Sequence, residues 1–514
     1  MATIKNDPLF DLIKSLSKSE KRHFKIFANR TGNSEDLKFI KLFEAMDYQK
    51  TYDDVALLRK VSSIKKVQFS NQKANLYKHI LASLRQYHTG HNLDMQLRES
   101  LDYAKVLYDK GFYKQALKLL EKSKLQAKSN RFHTIRLEIL EFEKLIESQY
   151  ITRSIATKAE ELTKEIDDST SIIASAHQLS NLALNLYGHY LKNGYIRNED
   201  DFKIIKDYFL KRMPNVVVED LSFYEELYYH QSYVWYNYII QDFANCYRHS
   251  LYWAELFRND KLMLKKHPEQ YIKGLHNLLS SLFHLQHYSK FCAVLEELEA
   301  VSNNHEITSN LNTEILSFKF LYTAKINKLF MEGRFDLGVA IVPELLNKLE
   351  QYKGKIDAER VLMFYYKIAS LYFGNRDYRK AIFYLNQIID FKDVTLREDI
   401  HCFARILNLI AHYEEGEDNR LEYQIKSTYH FLGRMNDQRA VQKEIFNFIR
   451  KVDRMTPDSV KEEFKALHSR LIVLKKDTYE KRPFLYLDIL TWLESKFENR
   501  TTLEIAQEKF KSLK

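Results

Sequence analysis

Glycine and proline are scarce in this chain, with 12 and 6 copies among 514 residues. Together they make up about 3.5% of the sequence, whereas an average protein contains about 12%. Both residues disfavour helix interiors, glycine through its backbone entropy and proline through its missing N–H, and both are common in tight turns. No stretch shows the apolar and polar alternation of β-hairpins joined by Asn-Gly or Asp-Gly turns. The scarcity therefore predicts an all-α protein.

Cysteines and long apolar runs are also rare. The three cysteines, Cys246, Cys292 and Cys402, are odd in number and far apart in sequence, which favours reduced thiols packed inside a cytoplasmic protein. The first residues, MATIKNDPLF, contain no apolar run of signal-peptide length. No apolar run reaches the length of about 18 residues that a transmembrane helix needs. We therefore expect a cytoplasmic protein that does not contact a membrane.

Motifs of catalytic and cofactor-binding sites are missing as well. Gly354-Lys355 is the only Gly-Lys pair, and it lacks the preceding glycine and the following Ser or Thr of a phosphate-binding loop. The chain contains no G-x-S-x-G, H-E-x-x-H or paired C-x-x-C motif. His284 and His287 have metal-like spacing, but no cysteine or carboxylate lies nearby to complete a ligand set. The sequence predicts a non-enzymatic protein with no catalytic residue, cofactor or metal.

Pairs of aromatic residues five positions apart recur along the chain, each where one helix is expected to end and the next to begin. The second members of these pairs, with two weaker echoes included, follow one another at intervals of 40–48 residues. The pairs are Tyr108/Tyr113, Tyr190/Tyr195, Tyr238/Phe243, Phe283/Tyr288, Phe330/Phe335 and Phe373/Tyr378, and the echoes are Tyr150/Ile155 and Tyr413/Asp418. Such a period is typical of stacked helical hairpins.

Small residues accompany these aromatics at fixed positions. A small residue follows the turn aromatic by three positions and an apolar residue by seven, as in Tyr113/Ala116/Leu120, Phe335/Gly338/Val342 and Tyr378/Ala381/Leu385. Over roughly residues 97–430 this pattern resembles the tetratricopeptide repeat (TPR). The TPR unit has about 34 residues, and HEAT-type repeats are the alternative that matches the longer period. The resemblance implies a right-handed α-solenoid of stacked antiparallel helical hairpins.

The chain is expected to have three parts. Residues 1–95 do not fit the repeat and carry 17 Lys and Arg against 10 Asp and Glu, a net charge of +7 in a chain whose total is +10. They are predicted to form a basic helical N-terminal module. Residues 96–455 are predicted to form the TPR-like repeats. Residues 456–514 are predicted to be C-terminal capping helices, because a terminal repeat must present one face to water.

In TPR proteins the first helix of each hairpin lines a concave groove. The resemblance therefore implies groove-facing positions three residues before the first aromatic of a pair, with flanking positions about one turn earlier. The candidate groove residues are Lys105, Trp235, His276, Asn277, Ser280, Thr323, Asn327 and Ser370. The implied function is that of a scaffold that binds a protein or peptide on the concave face of the solenoid.

Residues 1–95 support an alternative function. Ser17 and Glu20 have the spacing of a capping box, which predicts a helix at about 18–30. A short helix at 53–60 and a longer one at 70–86 follow one another as in a helix-turn-helix, and the longer helix begins with residue types that contact bases and phosphates. The candidate nucleic-acid face consists of Lys18, Lys21, Arg22, Lys25, Asn71, Gln72, Lys73 and Asn75. The alternative predictions are a transcriptional or nucleic-acid-linked regulator with a TPR-like sensor domain, and a plain helical cap of the solenoid.

Overall fold

Helices form all the regular structure of the described residues. The computed structural model describes residues 7–29, 34–61, 63–149, 158–308, 310–392, 397–416, 418–434, 440–452, 457–477, 479–481, 483–484 and 488–513. No strand occurs within these ranges, so the all-α prediction is confirmed. None of the helices described there is long and apolar enough to cross a membrane. Contacts divide the chain into an N-terminal unit, Met1–Ile173, and a C-terminal unit, Ala174–Lys514.

The N-terminal unit contains eight described helices and the beginning of a ninth. They are α1 (Pro8–Ser15), α2 (Lys18–Asn29), α3 (Ser34–Tyr48), α4 (Asp54–Lys60), α5 (Lys66–Thr89), α6 (Leu93–Asp109), α7 (Tyr113–Ser129), α8 (His133–Gln149) and α9 (Lys158–Asn193), which continues into the C-terminal unit. The predicted capping box starts α2, because the Glu20 N–H donates to Ser17 Oγ at 3.2 Å and the Ser17 N–H donates to Glu20 Oε2 at 2.8 Å.

The domain boundary predicted at residue 95 lies inside this unit. It falls within α6, and both α5 and α7 pack against that helix. A buried ion network joins the later helices of the unit, since Lys124 Nζ lies 3.0 Å from Glu143 Oε2 and Lys158 Nζ lies 3.0 Å from Glu143 Oε1. The contacts thus group the first predicted repeats with the basic segment, and the division lies at residue 173.

The C-terminal unit contains the remaining helices, which pack mostly against their neighbours in sequence. They are α10 (Glu199–Arg212), α11 (Phe223–Ile239), α12 (Phe243–Asn259), α13 (Lys261–Lys266), α14 (Pro268–His284), α15 (Tyr288–Asn303), α16 (Leu311–Glu332), α17 (Phe335–Ala340), α18 (Val342–Gln351), α19 (Ala358–Gly374), α20 (Tyr378–Ile389), α21 (Glu398–Glu415), α22 (Asp418–Arg434), α23 (Ala440–Val452), α24 (Pro457–Lys475), α25 (Ile489–Phe497) and α26 (Thr502–Leu513).

The predicted aromatic pairs lie at helix–helix turns. In five pairs the two rings contact each other, with centroids 5.4–6.3 Å apart. Five of the turns share one backbone geometry, in which a residue with positive φ is followed by an N–H that donates to the carbonyl five residues earlier. Those residues are Gly111, Gln241, Gln286, Gly333 and Arg376. The repeated turn therefore has a local cause, a left-handed residue between the two aromatic residues of a pair. The echo at Tyr150/Ile155 lies outside the described residues.

The small residues of the repeat permit close helix packing. Five of them, Ala104, Ala116, Cys246, Ala369 and Ala381, have no exposed surface. At the equivalent position Gly338, a Cβ atom would overlap the side chain of Leu371. Larger side chains at these positions would separate the two helices of a hairpin, which is the packing role that the sequence pattern predicts.

The C-terminal helices contact the middle and the beginning of their unit. Helix α26 packs on α16 as well as on α25, and the Phe510 ring lies 4.6 Å from the Tyr288 ring. The Tyr479 hydroxyl donates to Glu199 near the start of the unit. The described residues of the predicted capping region, 456–514, therefore contact helices far from the last predicted repeat, and residue 456 itself lies outside the described residues. An array whose repeats contact only their neighbours lacks such contacts, so the right-handed solenoid is not confirmed.

Gly333 lies where α26 meets the end of α16, and replacing it by alanine should weaken this docking. Gly333 has a φ of 63°, and a Cβ there would lie 2.7 Å from Ala506 Cβ and 2.9 Å from Gln507 N. We expect Gly333→Ala to lower the free energy of unfolding by about 2–4 kcal/mol, about 1 from the left-handed backbone and the rest from overlap. Urea unfolding followed by tryptophan fluorescence measures it, because all three tryptophans lie in the C-terminal unit.

Gly416→Ala is the matched control for this substitution. Gly416 ends α21 with a φ of 77°, and no described atom lies within 4 Å of the position that a Cβ would take. We expect this variant to lower the free energy of unfolding only by the cost of alanine in a left-handed backbone, about 1 kcal/mol. Equal losses in the two variants would contradict a close contact between Gly333 and α26.

Candidate functional site

A cavity of about 1320 Å³ lies inside the C-terminal unit. Most of its lining comes from α9 and from four helices that each begin a hairpin, α11, α14, α16 and α19. Residues between Lys475 and Ser512, including five residues of α26, complete the wall. The C-terminal helix α26, which packs on α16, therefore forms part of the cavity wall together with the lining residues of the other helices.

Seven of the eight predicted groove residues line this cavity. They are Trp235, His276, Asn277, Ser280, Thr323, Asn327 and Ser370. The register explains this result, because the same helix face recurs whenever the position is counted back from a turn aromatic. Lys105 is the exception, since it is exposed on α6 in the N-terminal unit. Its position in the repeat is equivalent, but its helix belongs to a different compact unit.

Several polar residues of the cavity wall also bind neighbouring helices. The Ser280 hydroxyl lies 3.0 Å from the Tyr238 hydroxyl, which joins α14 to α11. The Lys367 ammonium donates to Asn327 Oδ1 at 2.6 Å, which joins α19 to α16. Three further predicted groove residues donate to backbone carbonyls of their own helices; they are Asn277, Thr323 and Ser370.

Aromatic rings form much of the apolar part of the wall. The Trp235 ring lies 4.5 Å from the Tyr187 ring, and the His276 ring stacks on Phe320 with centroids 3.9 Å apart. Such stacked rings fix the orientation of the side chains that face the cavity. The wall thus offers flat apolar surfaces beside hydrogen-bonding groups, which is the usual lining of a binding site.

Positive charge in the cavity is the feature that the sequence analysis missed. Among the described residues, the lining contains eight basic side chains, Lys273, Lys319, Arg360, Lys367, Arg397, Lys475, Lys481 and Lys509, and four acidic ones, Glu269, Asp357, Glu359 and Asp488. Helical spacing was the signal that could have found three of the lysines. Lys273, Lys319 and Lys367 each precede a predicted groove residue by one helical turn.

The basic groups around His276 repel one another. Burial and the positive charge of Arg360 together lower the pKa of Lys367 to about 7. Burial and Arg360 also lower the pKa of Lys319. The pKa of His276 is well below its usual value because of burial and of the charges of Arg360, Lys367 and Lys319. Four basic side chains therefore act on one region of the wall, and His276 is neutral there at pH 7.

A buried ion cluster lies beside this region. The Arg397 guanidinium donates to Glu359 Oε1 at 2.6 Å and to both oxygens of Asp399 at 2.8 and 2.9 Å. Burial raises the pKa of Glu359, but the charges of Arg360 and Arg397 outweigh it and keep the pKa below its usual value. Arg397 also lies 5.6 Å from the ring of Tyr190. The cluster joins α19, the start of α21 and α9 on one side of the cavity.

The candidate nucleic-acid face differs from its prediction in two ways. Three of its lysines pair with carboxylates 2.7 Å away, in the pairs Lys21–Asp47, Lys25–Glu44 and Lys73–Asp7. The longer helix begins at Lys66, so Asn71, Gln72 and Asn75 lie in its second and third turns and not at its start. Lys18 and Arg22 are exposed on α2. The ion pairs reduce the positive charge that this face presents to phosphates.

The part of the chain that the structure describes contains no group of three or more His, Cys, Asp or Glu side chains that could hold a metal ion. Comparisons with protein-family models, with curated proteins and with solved structures found no match to this chain.

Proposed function

We propose that this protein is a non-enzymatic scaffold whose C-terminal unit binds a protein or peptide segment in the cavity of about 1320 Å³. In this proposal the hairpins from α11 to α20 stack as a TPR-like array, and the first helix of each presents its inner face to the ligand. The observation that carries the proposal is the convergence of seven predicted groove residues on one cavity.

The size and lining of the cavity support a peptide ligand. Small-molecule sites usually occupy about 300–1,000 Å³, and this cavity is larger. Its aromatic walls suit apolar side chains, and its hydrogen-bonding groups suit a peptide backbone. The nucleic-acid alternative has less support, because carboxylates of the same unit already neutralise Lys21, Lys25 and Lys73.

A selection from random displayed peptides on the immobilised full-length chain tests this proposal. Trp235 faces the cavity beside Tyr187, so Trp235→Ala should weaken the binding of selected peptides at least about tenfold, the loss expected of a buried aromatic anchor. Phe383→Ala is the control, because Phe383 is exposed on α20 and does not line the cavity. Failure to enrich any peptide, or equal binding by both variants in fluorescence polarisation, would contradict the proposal.

A further inference from the structure

We infer that the bound segment is acidic, and that an anionic side chain of it is held between Lys319, Arg360 and Lys367. This inference rests on the proposed function, and it adds the chemistry of the ligand. Two neighbouring helices supply the three cations, α16 carrying Lys319 and α19 carrying the other two. All three line the same cavity, and all three act electrostatically on His276.

The two lysines lack an acidic partner in the described part of the chain. Lys367 donates to the Asn327 amide oxygen at 2.6 Å, and no described carboxylate lies within 4 Å of its Nζ atom. Lys319 likewise forms no ion pair with a described residue, although Asp357 and Glu359 are near enough to influence its pKa. Charges removed from bulk water are normally paired. An anion from outside the chain would supply the missing partner.

Two of the nearby carboxylates, Glu359 and Asp399, are already engaged by arginine. Glu359 accepts a hydrogen bond from Arg397 at 2.6 Å and lies 3.7 Å from Arg360, and Asp399 binds Arg397 through both oxygens. Two arginines and two carboxylates thus balance one another in this cluster. Asp357 also acts on Lys319, but Lys319 and Lys367 outnumber it, so basic groups remain in excess on the cavity side. This excess favours an anionic ligand by charge complementarity.

Aromatic rings flank the same cations. The Arg360 guanidinium lies 5.6 Å from the Phe320 ring, and Lys367 Nζ lies 5.5 Å from the Phe330 ring. A ligand that reaches the cations therefore also contacts apolar surface. The matching ligand is a peptide in which an acidic residue, with a carboxylate or a phosphate, stands between apolar residues.

Three labelled peptides of one sequence test the inference on the full-length chain. They share two phenylalanines and a leucine, and their central residue is glutamate, phosphoserine or glutamine. We expect the glutamate peptide to bind about tenfold or more tightly than the glutamine peptide, with a preference that falls as salt is added. Equal affinities for all three peptides would overturn the inference. A preference for phosphoserine alone supports the anion site and identifies phosphate as its ligand.

Substitutions on α16 and α19 locate the anion. Lys319→Gln and Lys367→Gln should each remove most of the preference for the acidic peptide. Lys325→Gln is the matched control, because Lys325 lies on α16, pairs with Glu299 at 3.3 Å and does not line the cavity. Loss of the preference in the control variant as well would contradict the assignment. Tryptophan fluorescence in urea shows whether each variant is folded.

Proton uptake gives a readout that a purely structural role of Lys367 would not produce. An anion beside Lys367 raises its pKa from about 7, so binding at pH 8 should take up close to one proton. Calorimetry in buffers of different ionisation enthalpy measures this uptake, which Lys367→Gln should abolish. Binding of the glutamate peptide to the unmodified chain without proton uptake would contradict contact with Lys367.

The two proposals fail in distinguishable ways. Inorganic phosphate and succinate should raise the Tm of the unmodified chain and leave the Lys319→Gln/Lys367→Gln double variant unchanged. Peptides that bind through Trp235 regardless of their charge would leave the proposed function standing and refute the anion site. Stabilisation by the small anions without binding of any peptide would support the anion site and refute the proposed function.

Discussion

Replacing Arg397 by alanine should lower the free energy of unfolding of the C-terminal unit by about 3–5 kcal/mol. The side chain is 2% exposed, and it is the shared donor of Glu359 and Asp399. Its removal takes away the guanidinium that two carboxylates in a buried region share, and an uncompensated buried charge costs far more than an exposed ion pair contributes. Urea unfolding followed by tryptophan fluorescence measures the loss.

Arg376→Ala is the control that separates the loss of the Arg397 ion cluster from the effect of backbone strain. Arg376 has a φ of 63°, close to the 59° of Arg397, but its side chain is exposed at the turn between α19 and α20. Both variants place alanine in a left-handed conformation, and only one disrupts the ion cluster. We expect a loss of at most about 1 kcal/mol for Arg376→Ala. A similar loss in the two variants would show that the cluster contributes little.

Neutral partners should rescue the Arg397 variant. The triple substitution Arg397→Met, Glu359→Gln and Asp399→Asn replaces the cluster by uncharged groups of similar size. Such replacements of buried ionic clusters are often neutral or stabilising, because the desolvation cost disappears together with the attraction. We expect the triple variant to recover most of the lost stability. Persistence of the full loss would mean that Arg397 acts through packing and not through charge.

Acidification from pH 7 to pH 5 should destabilise the C-terminal unit by about 2 kcal/mol for each of three histidines, the buried His230 and the half-buried His249 and His284. Burial lowers the pKa of His230 and His284 to about 3, and that of His249 to about 4. The unfolded chain binds protons at these positions below pH 6.5, whereas the folded chain does not. The free energy of unfolding therefore falls as the pH drops through 6.5 and continues to fall until the folded-state pKa is reached.

The surroundings of these histidines oppose their protonation. His230 Nδ1 lies 3.0 Å from His249 Nδ1, so two positive charges would meet across this contact. The Arg248 charge also lowers the pKa of His249, while Glu226, 3.8 Å from His230, is the nearby acidic group. His284 stacks on Phe243 with centroids 4.2 Å apart. All three rings therefore contribute to the packing as neutral groups.

Urea unfolding curves at several pH values test this prediction when the unmodified chain is compared with histidine variants. His249→Gln removes one of these imidazoles. The free energy of unfolding of this variant should therefore fall less steeply between pH 6.5 and 5, and the slope against pH should correspond to about one fewer proton taken up on unfolding. His305→Gln is the control, because His305 is exposed and water solvates it in both states. Identical slopes for the unmodified chain and His249→Gln would be incompatible with a neutral His249.

Local patterns in the sequence determined the local structure of this protein. The scarcity of glycine and proline fixed its helical class, the Ser17/Glu20 spacing fixed the start of α2, and the aromatic pairs fixed the turns from Tyr108 to Tyr378. Counting back from those turns also identified seven residues of one cavity. These features depend on helix periodicity and on contacts within a few residues. Residues that are close in sequence determine both of these.

Only the tertiary structure decided which distant groups meet. Local spacing does not encode the docking of α26 beside Gly333, the hydrogen bond between Tyr479 and Glu199, or the cluster of Arg397, because these contacts join residues far apart in sequence. The distribution of charge could not be predicted for the same reason. The net charge of residues 96–514 is nearly neutral, and it does not show which lysines the fold separates from acidic partners. Burial and pairing depend on the whole fold, and they decided that this wall is electropositive.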